Sequence, residues 1–211
     1  MLVRRVMKKN PVYVRSGTFV SEARSLMKKE SISHLPVLDS GNRLIGILTK
    51  RDMLNAGPSP ATSLDMYEIS YLLSKLTIDK VMTKNVFTAG EDEVIEEAAR
   101  VMADNNISCL PVMRDKLLVG IVTVKDLFGT FINAFGTRHP GVRVSFVMED
   151  KLGQIAKLSG AIFEKGGNIY SFVTHDDNDL YIGGTMRIGG LDVDTVKIIF
   201  ENAGAKVLDI R

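Results

Sequence analysis

The sequence predicts an α+β fold in three parts: two equal helix–strand–strand–helix units packed as a pseudo-twofold pair, then a smaller βαββαβ unit. Three observations carry this. Val6 to Leu54 aligns with Val81 to Phe128 after one gap, with 17 identical residues. Each copy closes on one pattern, Gly46-Ile47-Leu48-Thr49-Lys50-Arg51-Asp52 in the first and Gly120-Ile121-Val122-Thr123-Val124-Lys125-Asp126 in the second. From Val142 onward the periodicity changes to strand, helix, strand, strand, helix, strand, the split βαβ order of ferredoxin-like sandwiches. A repeat this dense points to two similar units that bury their cores against each other, because about 50 residues alone bury too little surface.

In the first copy, Phe19, Ala23, Leu26 and Met27 fall on one helical face, matched by Val94, Ala98, Val101 and Met102 in the second. Leu35 to Leu38 is a short apolar strand whose Pro36 suits an edge or a strand entry. Asp39-Ser40-Gly41-Asn42 forms a turn, Leu44 to Leu48 returns as a strand, and Asp52 to Ala56 opens the closing helix. Between the copies, Gly57 to Thr62 reads as a loop, and Ser63 caps a helix with an apolar stripe of Ile69, Leu72, Leu73 and Leu76. The expected boundaries are 1–57 for the first repeat, 58–77 for this insert, 78–136 for the second repeat and 142–211 for the last unit. In that last unit Val142, Val144 and Phe146 alternate as a strand. Asp150 is expected to cap a helix facing inward through Leu152, Ile155, Leu158 and Ile162. Gly166-Gly167-Asn168 stops it. Strands Ile169–Thr174 and Tyr181–Ile188 flank a polar turn at His175–Asp179, and the helix from Val193 to Asn202 precedes a last strand from Ala205 to Ile210.

Composition limits function. With 211 residues, 45% of them apolar, the chain can form a true core. A net charge of +2 gives no global field to draw nucleic acid or membrane, and no run of 18 apolar residues suggests a membrane span. The amino terminus lacks the apolar stretch of a signal peptide. A lone cysteine, Cys109, excludes an internal disulfide, fits a reducing cytoplasm and reads as core packing. The parts an enzyme needs are not grouped: no nucleophile with a positioned base, no paired carboxylates, no zinc spacing among the three histidines. Gly183-Gly184 and Gly189-Gly190 lack the helix and Lys-Ser/Thr of a nucleotide loop. The expectation is a non-enzyme that needs no metal or cofactor, with a purely structural dimerisation module or an enzyme as the alternatives.

The closing pattern carries the chemistry. A helix N-terminus offers N–H groups and a positive dipole end to a phosphate. The threonine hydroxyl can add a donor, and the aspartate can accept from two sugar hydroxyls. Thr-x-x-Asp before an apolar run is also a capping box; its duplication favours a ligand site. His34, just before Leu35-Pro36, could face a phosphate, whereas its counterpart Cys109 could not, so two unequal sites are expected. Lys9, Arg51, Lys84 and Lys125 are further cationic candidates.

The repeats resemble cystathionine-β-synthase (CBS) domains, and the tandem resembles a Bateman module. The likeness rests on the two Gly-Ile-Leu/Val-Thr-x-x-Asp patterns, the two Ile-Ser-x-Leu-Pro-Val segments and the Val-Met-x-Lys-Asn starts. The resemblance implies that an adenosine nucleotide such as AMP, ADP or ATP binds in the cleft between repeats. Asp52 and Asp126 would hold ribose and Thr49 and Thr123 phosphate, with His34, Arg51 and Lys125 the cationic candidates read from the residues themselves; Val12, Ile32 and Ser33, and in the other copy Phe87, Ile107 and Ser108, would frame the base. The last unit, with Asp150-Lys151-Leu152-Gly153-Gln154 at its first strand–helix turn, resembles the ACT domain family. That likeness implies an amino-acid effector near Asp150, Gly153 and Gln154 and a homodimer or larger assembly. The whole order is similar to acetoin-utilisation B-type proteins, and implies a regulatory ligand sensor.

Overall fold

The computed structural model describes residues 1–56, 75–178 and 180–211. The loop from Gly57, and the helix expected from Ser63 with Ile69, Leu72 and Leu73, lie outside these residues, as does Asp179. The chain divides into two units, Met1–Leu127 and Phe128–Arg211. No helix among the described residues is long and apolar enough to cross a membrane.

In the first unit, the first repeat contributes strands β1 (Lys8–Lys9), β2 (Val14–Arg15), β3 (His34–Leu38) and β4 (Leu44–Thr49), with helices α1 (Val20–Lys29) and α2 (Lys50–Asn55). The second contributes β5 (Ala89–Gly90), β6 (Cys109–Arg114) and β7 (Leu117–Thr123), with α3 (Ile95–Asp104) and α4 (Val124–Ala134), which runs past the unit boundary. The sheets are ordered β2-β3-β4 and β1-β7-β6-β5. Pro36 lies in a central strand, but β2 pairs only with Val37 and Leu38, so the missing N–H at Pro36 costs no ladder bond on that side.

Ala23, Met27, Ala98 and Met102 lie on the buried helical faces as expected, and only the first residue of each set differs. Val20 and Ile95 are buried, while Phe19 and Val94 stand in extended backbone before the helices and are 41% and 48% exposed. Both members of each adjacent pair are apolar, so periodicity alone does not choose between them.

The two repeats exchange their leading segments. Lys8 and Lys9 pair with Ile121 and Gly120 of the second repeat, and Thr83 pairs with Ile47 of the first through two bonds of 2.9 Å. Val3 packs in the core of the second repeat, with Leu110, Val112 and Val122; Ile78 packs in that of the first, with Leu35, Val37 and Leu48. The glycine of each closing pattern is a mid-strand residue. A Cβ on Gly46 would meet Met82 Sδ at 2.4 Å, and one on Gly120 would meet Met7 Sδ at 2.4 Å. A Cβ at either position would force the partner repeat's methionine to shift where it lies across the strand. Ile47, Cys109 and Ile121 close the seam between the sheets. Burial there pushes the Cys109 thiol up to about 12.

The second unit contains β8 (Val142–Glu149), α5 (Gln154–Glu164), β9 (Asn168–Asn178), β10 (Tyr181–Gly189), α6 (Val193–Asn202) and β11 (Lys206–Ile210), with sheet order β11-β8-β10-β9. Its core joins Val144, Phe146 and Met148 to Leu158, Ile162, Val196 and Phe200. Three expectations change here. β9 stays paired with β10 out to Asn178, so the ladder continues through most of the stretch read as a turn. Asp150 does not cap α5; the helix starts after Gly153, whose φ of +85° suits glycine, and which has no close neighbour. The turn from Asp150 to Gly153 consequently leaves Leu152 fully exposed and Ile155 at 46%, and only Leu158 and Ile162 face the core. The other sheet face carries polar pairs, with Ser145 Oγ 3.0 Å from Thr185 Oγ1 and Arg143 paired to Asp209 at 2.7 Å.

Candidate functional site

Two cavities open between the repeats, and each draws its walls from both. The first, about 450 Å³, joins Lys8, Val12, Ile32 and Ser33 of the first repeat to Thr123, Lys125 and Asp126 of the second. The second, about 820 Å³, joins Thr49, Lys50 and Arg51 of the first repeat to Phe87, Asn106 and Ile107 of the second. Both are of a size that holds a small ligand. The Thr-x-x-Asp pattern of one copy thus faces the base-framing residues expected of the other. The exchanged pairing of the leading segments joins the two repeats here.

In the first copy the pattern is a closed capping box, and the second makes the same bonds into its carboxylate. Asp52 Oδ2 accepts from Thr49 N at 2.7 Å and from the Thr49 hydroxyl at 2.8 Å, and Asp52 N donates to Thr49 Oγ1 at 3.1 Å. Asp126 Oδ2 accepts from Thr123 N at 2.8 Å and from its hydroxyl at 2.7 Å. The next N–H in each helix is also taken: Lys50 N donates to Ser33 O at 3.1 Å and Val124 N to Ser108 O at 3.0 Å. The threonine hydroxyl therefore spends its proton on the carboxylate, and most of the N–H groups expected to receive a phosphate are bonded within the protein. What the arrangement presents is a carboxylate held rigidly at each helix start, a suitable acceptor for paired hydroxyls.

Twelve of the thirteen expected nucleotide-site residues line one cavity or both; Asp52 lines neither but is bonded to Thr49, which does. Among the cationic candidates, Arg51 and Lys125 line a cavity. Lys9 does not: neighbours on a strand point to opposite faces, and it lines a separate recess with Arg4, Arg5 and Arg114, leaving Lys8 at the first cleft. Lys84 lines neither cleft. Sequence reasoning missed Lys8 and Lys50, and also Ser31 and Asn106, equivalent left-handed residues with φ of +54° and +51° ahead of Ile32 and Ile107. A Ser or Asn at the same place in both copies is the signal that could have found them.

Ser33, His34, Ser108 and Val124 line both cavities. His34 Nε2 lies 2.8 Å from Ser108 Oγ, joining the repeats at this common wall. Burial holds the His34 pKa below its ordinary value, with Asp52 opposing and Lys50 adding to the shift.

Twin clefts built from intertwined repeats define a tandem ligand-binding module with a separate ferredoxin-like unit. The CBS domain family model matches residues 3–59 and 78–133, and the TTHA0829-like ACT domain model matches residues 140–211. The chain belongs to the CBS domain family, carrying two copies in tandem followed by a TTHA0829-like ACT domain. Among solved structures it is similar to the CBS domain pair of protein MJ0100 in complex with 5′-methylthioadenosine and S-adenosyl-L-methionine: 34% identity, 66% of this chain, 98% of that one, TM-score 0.53. It is also similar to a putative acetoin utilization protein (AcuB) from Vibrio cholerae: 28% identity, 66% of this chain, 98% of that one, TM-score 0.54. The L-aspartate semialdehyde sulfurtransferase of Methanocaldococcus jannaschii is 35% identical over 131 residues, 62% of this chain. The chain spans only 23% of that enzyme's length.

Proposed function

We propose that this chain is a non-catalytic regulatory protein whose two clefts bind adenosine-bearing ligands. One observation carries the reading: each cleft pairs an anchored carboxylate motif from one repeat with an apolar wall from the other. In the first, Val12 and Ile32 take the adenine face and Asp126 accepts the ribose hydroxyls. In the second, Phe87 and Ile107 take the base, and Asp52, beside Thr49, serves the sugar. Lys8 and Lys125, or Lys50 and Arg51, then face an anionic tail. The MJ0100 pair supports adenosine recognition; the cations extend the ligand class to AMP, ADP and ATP. The ACT domain adds a second input, an amino acid held near Asp150, Gly153 and Gln154, and Leu152, Ile155 and Phe163, exposed beside that turn or along α5, supply the contact surface of a homodimer.

Native mass spectrometry of freshly purified protein, followed by calorimetry with AMP, ATP, 5′-methylthioadenosine and S-adenosylmethionine, tests this. Binding of at least one adenosine compound without turnover is the expected result; no binding of any would leave a structural module. Light scattering on the full chain and on Leu152→Asp tests assembly: a dimer reduced to monomer supports the α5 surface, and an unchanged mass refutes it.

A further inference from the structure

The two cavities meet at a wall with an asymmetric chemical link. Of the four residues common to both, His34 and Ser108 are bonded to each other at 2.8 Å. Each side of the bond is wired to a motif. Ser33, next to His34, accepts from Lys50 N at the start of α2, and His34 pairs with Thr49 across β3 and β4. Ser108 accepts from Val124 N at the start of α4, and its neighbour Cys109 pairs with Thr123 across β6 and β7. The bond thus joins the strand–helix corner that carries Thr49 and Asp52 to the one that carries Thr123 and Asp126. The duplication would place its mate between Cys109 and Ser33, but Cys109 is buried with Ile47 and Ile121. The imidazole provides a link the second copy does not duplicate.

We infer that the His34–Ser108 hydrogen bond couples the two clefts, so that a ligand in one raises affinity in the other; this rests on the reading that both clefts bind adenosine ligands. A ligand filling either cavity lies against the same imidazole and hydroxyl and competes for them. The first ligand bears the cost of breaking the bond, and the second meets a wall already open. Such a cost counted once is positive cooperativity, and linkage makes it reciprocal. A neutral hydrogen bond has a net worth of roughly two- to tenfold in an equilibrium constant, which sets the size of the effect.

The test is native mass spectrometry of the full chain titrated separately with AMP and with 5′-methylthioadenosine, reading the free, singly and doubly bound populations. Both residues line both clefts, so either substitution changes each affinity; the readout is the ratio of the second binding constant to the first. Ser108→Ala and His34→Ala should each lower that ratio by roughly two- to tenfold. The double variant should lower it no further, and Ser108→Thr, which keeps the hydroxyl, should retain the wild-type ratio. Two ligands bound with a ratio that none of these variants moves overturns the coupling while leaving the clefts assigned. No second ligand on the wild type overturns the two-site reading, and the coupling with it. A thermal melt of each variant separates a lost fold from a lost link.

Discussion

The two repeats are closest in structure where they do the same mechanical work, and they part where they face a ligand. Leu35 and Leu110 are both fully buried, Gly46 and Gly120 both receive a methionine from the other copy, and Thr49–Asp52 and Thr123–Asp126 close the same capping bonds. Yet the residue before the shared Leu-Pro-Val is His34 in one and Cys109 in the other, one bonded to Ser108 across the seam and one packed with Ile47 and Ile121 at the edge of the larger cleft. The frame is common to both copies; the side chains at this position make the clefts unequal in chemistry.

The largest expected effects break the comparison at the carboxylates. A hydrogen bond to a charged group is worth about 1.5–3 kcal/mol, so Asp126→Ala should weaken the smaller cleft, and Asp52→Ala the larger, by roughly ten- to a hundredfold. Calorimetry that finds both clefts weakened equally by either change would mean that the motifs do not divide between them. Each variant also loses the carboxylate half of the capping bonds while the threonine N-cap remains, so its melting temperature should fall modestly.

Next come the glycines. Gly46→Ala and Gly120→Ala each drive a methyl group into a methionine, and overpacking of this kind costs about 1–3 kcal/mol. Gly120 should be the less tolerant, because Lys8 O also stands 3.3 Å from the added carbon. Denaturant unfolding of the two variants measures this directly; a Gly46 variant that is clearly the weaker would contradict the exchanged pairing at β1.

The smallest effect is His34's response to pH. Its folded pKa is lowered, chiefly by burial, so the unfolded chain takes up the proton first as pH falls. The stabilisation is present above the unfolded value of about 6.5 and is lost as pH falls from there toward the folded value. Melting temperature should decline between pH 7.5 and 5.5, and His34→Gln should flatten that slope. The same shift moves any gain in binding an anionic tail below the pH at which a free imidazole charges. An unaltered slope in the variant would place the titration elsewhere.

Much of the frame was legible in the chain because a duplication makes weak signals strong: the paired strands, the closing motif and the βαββαβ order each stand in the residues. Less legible was anything that depends on which copy a segment serves. Lys8 and Lys9 carry no apolar signature, so nothing local shows that they pair with the other repeat. Leu152 looked like a core residue until Gly153 started its helix late. Twelve of the thirteen residues expected from pattern and resemblance line a cleft, but neither signal can show that the Thr49 and Thr123 hydroxyl protons are already committed. Nor can either show that His34 bonds a serine from the opposite repeat.

A crystal structure of the full chain grown with AMP tests the central claim, that each site is shared between repeats. The account predicts adenine against Val12 and Ile32 with its ribose at Asp126, and, where the second cleft fills, adenine against Phe87 and Ile107 with its sugar on the Thr49 side. A nucleotide whose base and ribose are held by the same repeat, or one bound outside both clefts, would contradict it.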